Sequence, residues 1–453
     1  MQNLAPTASS KAFVRSAPSE ALPPPVTLVG PIGWLRTNLL SSPGNIVLTI
    51  LALALAIWVL PGMLRFLVLD AVWFGVDREA CLTKNGIVPG ACWAFVTDRW
   101  KFFIYGFYPW DQHWRVNLVF LLGILGFGWM LWLGAPRRDI GLFYFLVIMP
   151  LAAYGLLGGH NPLAFLTYPL ELISGKSLFL GLIFTLILFL AGFIAAKFAG
   201  SENGTAAGAG VASLAGLVAL GWGFARFWPT LGLPLVDTAK WGGLTVTLVV
   251  AGVGIVASIP LGILLALGRR SQLPVVKFFS VLFIEFVRGV PLITVLFMAN
   301  TMLPFVLPGD VSVDKLLRAM IGIGLFASAY MAEVVRAGLQ ALPKGQYEGA
   351  MAMGLGYWQM MRLIILPQAL KVTIPNIVNT CIGLFKDTSL LLIVGIFDFL
   401  KAIETARIDP QWAAPTTSAT GYAFAAIIYF IFCYGMASYA RATEKRLSAT
   451  DKK

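Results

Sequence analysis

The sequence predicts an all-α integral membrane protein with about ten transmembrane helices, and three observations carry that reading. Hydrophobic residues are 58% of the 453 residues and charged residues only 12%, against about 25% charged in ordinary soluble domains. Mean hydropathy is +0.82. Apolar runs of 18 or more residues recur along the chain without the alternation of barrel strands, and in lipid a helix satisfies its own backbone hydrogen bonds.

Residues 1–44 are rich in Pro, Ser and Ala, with Lys11, Arg15 and Arg36 as the only basic residues. No early apolar stretch follows the start, so a flexible cytoplasmic tail is expected rather than a cleaved signal peptide. The first span runs from about Ile46 to Leu69, with Pro61-Gly62 expected to kink it without ending it. A polar loop, 70–115, follows. Further spans are expected near 116–134, 140–157, 178–196 and 207–227, then 241–267, 277–307, 315–341, 374–396 and 420–440. The chain thus divides into the tail, an N-terminal transmembrane extension over 45–239, and a core of five spans over 240–445.

A net charge of +12 and a pI near 9.6 do not point to nucleic acid, because the basic residues fall in short clusters between apolar runs. Arg137-Arg138, Arg269-Arg270-Lys277, Lys344-Arg362-Lys371 and Arg441-Lys445-Arg446-Lys452-Lys453 all land on one side of ten spans. By the positive-inside rule that side is the cytoplasm, with both termini. The loops 70–115 and 397–419 then lie outside, where a disulfide between Cys81 and Cys92 is possible. Cys381 and Cys433 sit in apolar sequence as packing residues. His113 and His160 are too scattered for a metal site, and the four cysteines fit no metal-ligand spacing.

The second half carries ionisable residues inside apolar sequence: Glu285 and Arg288, Glu333 and Arg336, Lys386 and Asp387. Such groups are costly in a membrane unless paired or lining a polar path. Each Glu/Arg pair is spaced i,i+3 and shares a helix face. Two readings stand: ion pairs that fix packing, or contact with a zwitterionic solute. Either turns these faces into the bundle. Lys386 and Asp387 are expected near mid-depth of their span, with Thr388 and Ser389 able to bond backbone carbonyls and permit a bend. Pro291 marks a break where freed backbone groups could face a cavity.

No internal energy source is visible. Gly175-Lys176-Ser177 imitates the end of a phosphate-binding loop, but the position that needs the first glycine is Leu170. No catalytic constellation is present, so neither hydrolysis nor a cofactor is expected in this chain. Residues 348–367, EGAMAMGLGYWQMMRLIILP, form a polar, helix-compatible segment between apolar runs, within a cytoplasmic loop expected over 337–371. Gly354 allows a tight turn there. The segment suits docking in a partner's groove or lying on the lipid surface.

Its spacing, Glu348, Gly349, Ala350, Gly354, Ile364, Leu366 and Pro367, resembles the coupling loop of importers driven by a separate ATPase, with Gly349 in place of the middle alanine. Trp241-Gly242-Gly243-Leu244-Thr245, Arg288-Gly289-Val290-Pro291-Leu292, Ala329-Tyr330-Met331-Ala332-Glu333 and Lys386-Asp387-Thr388-Ser389-Leu390 accompany it in order. Together these motifs resemble the permease subunits of polar amino-acid ABC importers over about 240–445. The extra N-terminal helices and the loop CLTKNGIVPGACWAFVTDRW most resemble the long permeases of the general L-amino acid and glutamate/glutamine/aspartate/asparagine branch. The resemblance implies a bacterial inner-membrane permease paired with a homologous second permease. It also implies an ATPase dimer carrying ATP and Mg, and a periplasmic binding protein that delivers the amino acid. An ion-gradient-coupled secondary transporter and a non-transporting scaffold are the rival readings. The halves show no inverted pair of interrupted segments to favour the former.

Overall fold

The computed structural model of the protein describes residues 30–83, 89–131, 138–162, 227–306 and 313–450. Among them every regular element is helical, and two isolated bridges, Val72 with Cys92 and Gly243 with Asp398, are the only strand-like pairings. The chain forms two compact units, 1–71 and 72–453.

The first unit holds α1 (Gly30–Asn38) and α2 (Pro43–Leu64). Residues 30–38 are therefore helical, where a flexible tail was expected. Thr37 Oγ1 donates to Gly33 O at 2.9 Å and Asn38 Nδ2 to Trp34 O at 2.9 Å, side-chain bonds that compete with further helix and close the element. Ser42 caps α2 by accepting from Asn45 N. The helix passes Pro61 and ends in a wide π turn, Arg65–Leu69.

The second unit begins with a short 3-10 turn at Arg78–Cys81 and α3 (Trp93–Tyr105). The expected second and third spans appear as α4 (His113–Leu131) and as α5 (Arg138–Phe143) running through a π turn into α6 (Met149–Gly158). The spans expected at 178–196 and 207–227 lie outside the described residues apart from Phe227, as does Gly175-Lys176-Ser177.

The C-terminal core comprises α7 (Gly243–Arg269), α8 (Pro274–Gly289), α9 (Leu292–Phe297), α10 (Leu303–Val306) and α11 (Lys315–Ala341). It continues with α12 (Lys344–Ala352), α13 (Tyr357–Met360), α14 (Leu366–Asp387), α15 (Phe399–Ala406) and α16 (Thr417–Thr450). Five helical runs among the described residues are long and apolar enough to cross a membrane: Pro43–Leu69, Gly243–Arg269, Lys315–Ala341, Tyr357–Leu392 and Thr417–Lys445. A sixth, expected as one span over 277–307, is instead bent by 107° between Gly289 and Leu292. Pro291 lacks a backbone N–H and drives Val290 out of the helical region, to φ −105° and ψ 137°.

A second correction concerns the ninth span. Its helical run begins at Tyr357, not near 374, and α14 ends at Asp387 before a 3-10 turn, Thr388–Leu392. Thr388 Oγ1 donates to Phe385 O at 2.7 Å, which helps tighten the last turn. Lys386 and Asp387 therefore stand at the helix end rather than in its middle. Within 337–371 the chain is helical apart from two links, 342–343 and 353–356.

α7 packs most extensively on α11, which offers Ala319, Gly322, Ala329 and Ala332 as buried small residues; such residues let helices in lipid approach closely. At one end of the bundle, named the outer end after the sequence expectation, residues 72–83, 89–115, 157–160, 234–243 and 395–420 meet; Val236 N donates to Gly158 O at 3.0 Å and Gly243 N to Phe397 O at 2.9 Å. At the opposite, inner end, Arg269 and Arg270 meet α11 and α12.

Candidate functional site

Leu342-Pro343 ends α11, because the residue before proline avoids the helical region; Leu342 has ψ 136°. α12 then starts at Lys344 and stops at Gly354, whose φ is +75°. Gly354 N donates to Met351 O at 2.9 Å and Leu355 N to Ala350 O at 3.3 Å. This is the paired bonding of a Schellman motif, which needs a left-handed residue where Gly354 stands.

Ala350 is buried in one cluster with Leu339, Met360 and Ile365. That contact fixes which face of α12 looks outward. Glu348, Gly349, Met351 and Met353 are exposed, and so are Tyr357, Trp358 and Leu363 on the following helix. Ile364 and Leu366 are half-buried, and exposed Pro367 follows a π turn, Met361–Ile365. Two polar clamps hold α12 to the bundle. Tyr347 Oη donates to Leu339 O at 2.9 Å and accepts from Arg270 Nη1 at 3.0 Å. Gln368 Nε2 donates to Gln346 Oε1 at 3.0 Å. The result is an anchored helix with a mixed outward face of small, acidic and thioether side chains.

Behind α12 the intramembrane charges meet, with partners that spacing did not predict. Glu285 pairs with Arg269 at 2.8 Å, not with Arg288. Glu333 is the hub: Arg336 lies at 2.6 Å, Arg269 at 2.7 Å and Arg288 at 3.5 Å. The i,i+3 pair forms at Glu333 and Arg336 and is absent at Glu285 and Arg288. Glu333 is 16% exposed, whereas Glu285 is 54% exposed and does not turn into this chain's interior. Arg269 had registered only as a topology signal; its i−1 position to Arg270, at the end of a span, was the available clue.

Lys386 is exposed, Asp387 and Ser389 are half-buried and Thr388 is buried. Neither Lys386 nor Asp387 has an ion-pair partner among the described residues.

At the outer end, Cys81 and Cys92 are joined in a disulfide, with Cα atoms 5.8 Å apart and both residues buried. The chain from Cys92 into α3 packs on residues 409–420 of the core. Trp412 Nε1 donates to Asp98 Oδ2 at 2.8 Å, Arg99 pairs with Asp409 at 2.8 Å, and Cys92 N donates to Thr420 Oγ1 at 2.8 Å. Gly243, at φ +62°, lies where any Cβ would come within 2.3 Å of Phe103 O on α3, so the Trp241-Gly242-Gly243 motif admits the extension's backbone. Asp398 caps α15 through Leu400 N and Lys401 N at 3.2 and 3.0 Å. Burial pushes its carboxyl up to about 7, against those stabilising N–H groups. No cluster of His, Cys, Asp and Glu able to hold a metal occurs among the described residues.

A helical bundle with spans long and apolar enough to cross a membrane, a bent helix pair and an exposed, clamped helix at one end is the architecture of an integral membrane protein. Residues 258–449 match the family described as "Binding-protein-dependent transport system inner membrane component". The chain is 43% identical over 415 residues, 92% of each protein, to "Inner membrane amino-acid ABC transporter permease protein YhdY" of Escherichia coli. It is 42% identical over 97% of its length and 99% of the relative's to "Glutamate/glutamine/aspartate/asparagine transport system permease protein BztC" of Rhodobacter capsulatus. A shorter relative, "Probable amino-acid ABC transporter permease protein YckA" of Bacillus subtilis, is 31% identical over 45% of this chain and 87% of its own. The chain belongs to the amino-acid ABC transporter permeases.

Proposed function

We propose that this chain is the transmembrane permease subunit of an ATP-driven importer that carries polar L-amino acids from the periplasm to the cytoplasm. A separate ATPase docks on α12. One observation carries the reading: α12 is clamped to the bundle by Tyr347 and Gln346 while Glu348, Gly349 and Met351 face outward. A short helix held in that way conveys a push into the core instead of absorbing it, and its outward face suits a partner's groove. The chain sits in the bacterial inner membrane with both termini in the cytoplasm. It pairs with a homologous second permease, two ATPase copies hold ATP and Mg, and a periplasmic binding protein delivers cargo to the outer end.

The solute path runs past exposed Lys386 with Asp387, Thr388 and Ser389, whose lack of ion-pair partners leaves Lys386 and Asp387 available. Glu285, Arg288, Glu333 and Arg336 act as packing charges, since they satisfy one another across helices. The ion-gradient reading gains no support from the relatives' names. The test is purification of the complex with Glu348→Lys or Gly354→Asp. Both variants are expected to insert normally and to lose the ATPase; recovery of normal ATPase with either overturns docking at α12.

A further inference from the structure

α8 keeps most of its length outside this chain's core and is tied to α11 by Arg288, 3.5 Å from Glu333. Of its 16 residues only Ile284 and Val287 are buried, while Phe278, Phe279, Leu282 and Phe286 stand open. Its ionic tether to α7 is Glu285, 2.8 Å from Arg269 Nη1. The same nitrogen lies 2.7 Å from Glu333 Oε1 on α11, the helix with most of its apolar face buried. The next residue faces the other way: Arg270 Nη1 reaches Tyr347 Oη on α12 at 3.0 Å and Leu339 O at 3.2 Å. Adjacent arginines at the end of one helix thus contact two different elements, α8 and α12.

We propose that Arg269 and Arg270 form a relay in which Arg270 senses the position of α12 through Tyr347 and Arg269 sets the position of α8 through Glu285. The relay rests on the reading that an ATPase pushes on α12. Arg270 N–H bonds Gly268 O and Leu267 O, so the two residues move as part of one helix end. The 107° break at Pro291 lets α8 swing without unwinding α9. Two states are available to Arg269 at little cost. It bridges Glu285 and Glu333 in one, and stays paired with Glu333 in the other while half-exposed Glu285 takes water instead. Arg269 is a positioning residue in this scheme and touches no cargo.

The test uses the complete transporter, all partner subunits included, in vesicles, and reads amino-acid uptake per ATP hydrolysed. Arg269→Met and Glu285→Gln are each expected to lower that ratio by about tenfold, a typical coupling effect, with the ATPase still bound. Arg269→Lys, which keeps a donor for both carboxylates, is expected to stay within about twofold of the parent. A purely structural role would lower uptake and hydrolysis together with the amount of folded complex and leave the ratio unmoved. An unmoved ratio in Glu285→Gln overturns the relay, and this variant stays informative if Arg269→Met fails to accumulate. A lysine variant as defective as the methionine one also overturns it. An unsubstituted chain that recruits no ATPase overturns the functional reading, and the relay with it.

Discussion

The phenol of Tyr347 and the guanidinium of Arg270 meet at 3.0 Å, with the guanidinium carbon 5.4 Å from the centre of the tyrosine ring. The contact joins α12 to the end of α7, and Tyr347 Oη also donates to Leu339 O on α11. One side chain therefore ties α12 to two spanning helices.

Tyr347→Phe keeps the ring over Arg270 and deletes both hydrogen bonds. Each is worth about 1 kcal/mol in net terms, so local opening of α12 is expected to become up to about thirtyfold more frequent while the bundle stays intact. Amide hydrogen exchange over 344–352 in the purified permease measures this directly. Equal exchange in parent and variant, with the exchange of α11 also unchanged, would show that Ala350 burial and the Gln346–Gln368 bond hold the helix without Tyr347.

Asp398 gives a pH dependence with a definite sign. Its folded carboxyl titrates at about 7, above the ordinary value of about 4, so the folded state favours the protonated form. The stabilisation is complete below about 4 and is lost as pH rises through about 7. Glu404 on the same helix raises it further, Tyr429 of α16 lies beside it, and no basic side chain pairs with it among the described residues. Asp398→Asn keeps an N-cap of similar quality but cannot ionise. Between pH 5 and pH 8 the parent's melting temperature is expected to fall relative to that of the asparagine variant. Parallel curves would mean the carboxyl is ionised throughout that range.

The turn that ends α12 was legible in the sequence because its signal is local, a glycine at Gly354 that allows a tight turn; that Ala350 is buried against Leu339, not presented outward, was not. The break at Pro291 was legible from a local signal too. The charge network was not. Spacing places Glu285 beside Arg288, but Arg269 lies across a helix interface at 2.8 Å, and i,i+3 arithmetic says nothing about neighbouring helices. The ninth span was misplaced because Arg362, Gln368 and Lys371 lower the apolar signal over a stretch that is helical from Tyr357 onward. Lys386 and Asp387 consequently moved from mid-helix to a helix end. That the loops over 70–115 and 397–419 share a side followed from charge counting; that they bond through Trp412 to Asp98 and Arg99 to Asp409 required coordinates.

The disulfide at the outer end makes the last expectation, because it sits where the extension meets the core. Cys81 and Cys92 close a segment of sequence separation 11, and such a crosslink typically contributes roughly 2–3 kcal/mol by restricting the unfolded chain. The other ties of this module do not depend on it: Trp412 to Asp98, Arg99 to Asp409 and Cys92 N to Thr420 all use other atoms. Replacing both cysteines by serine should therefore loosen the outer module without unfolding the core. Faster amide exchange is expected over 93–105 and 399–406, with unchanged exchange over 319–339. Both sulfurs belong to buried residues, so a thiol reductant added to the native permease should act only as fast as that module opens. Rapid reduction under native conditions, or equal exchange in the double-serine variant, would show that the bond closes the loop without supporting its packing on the core.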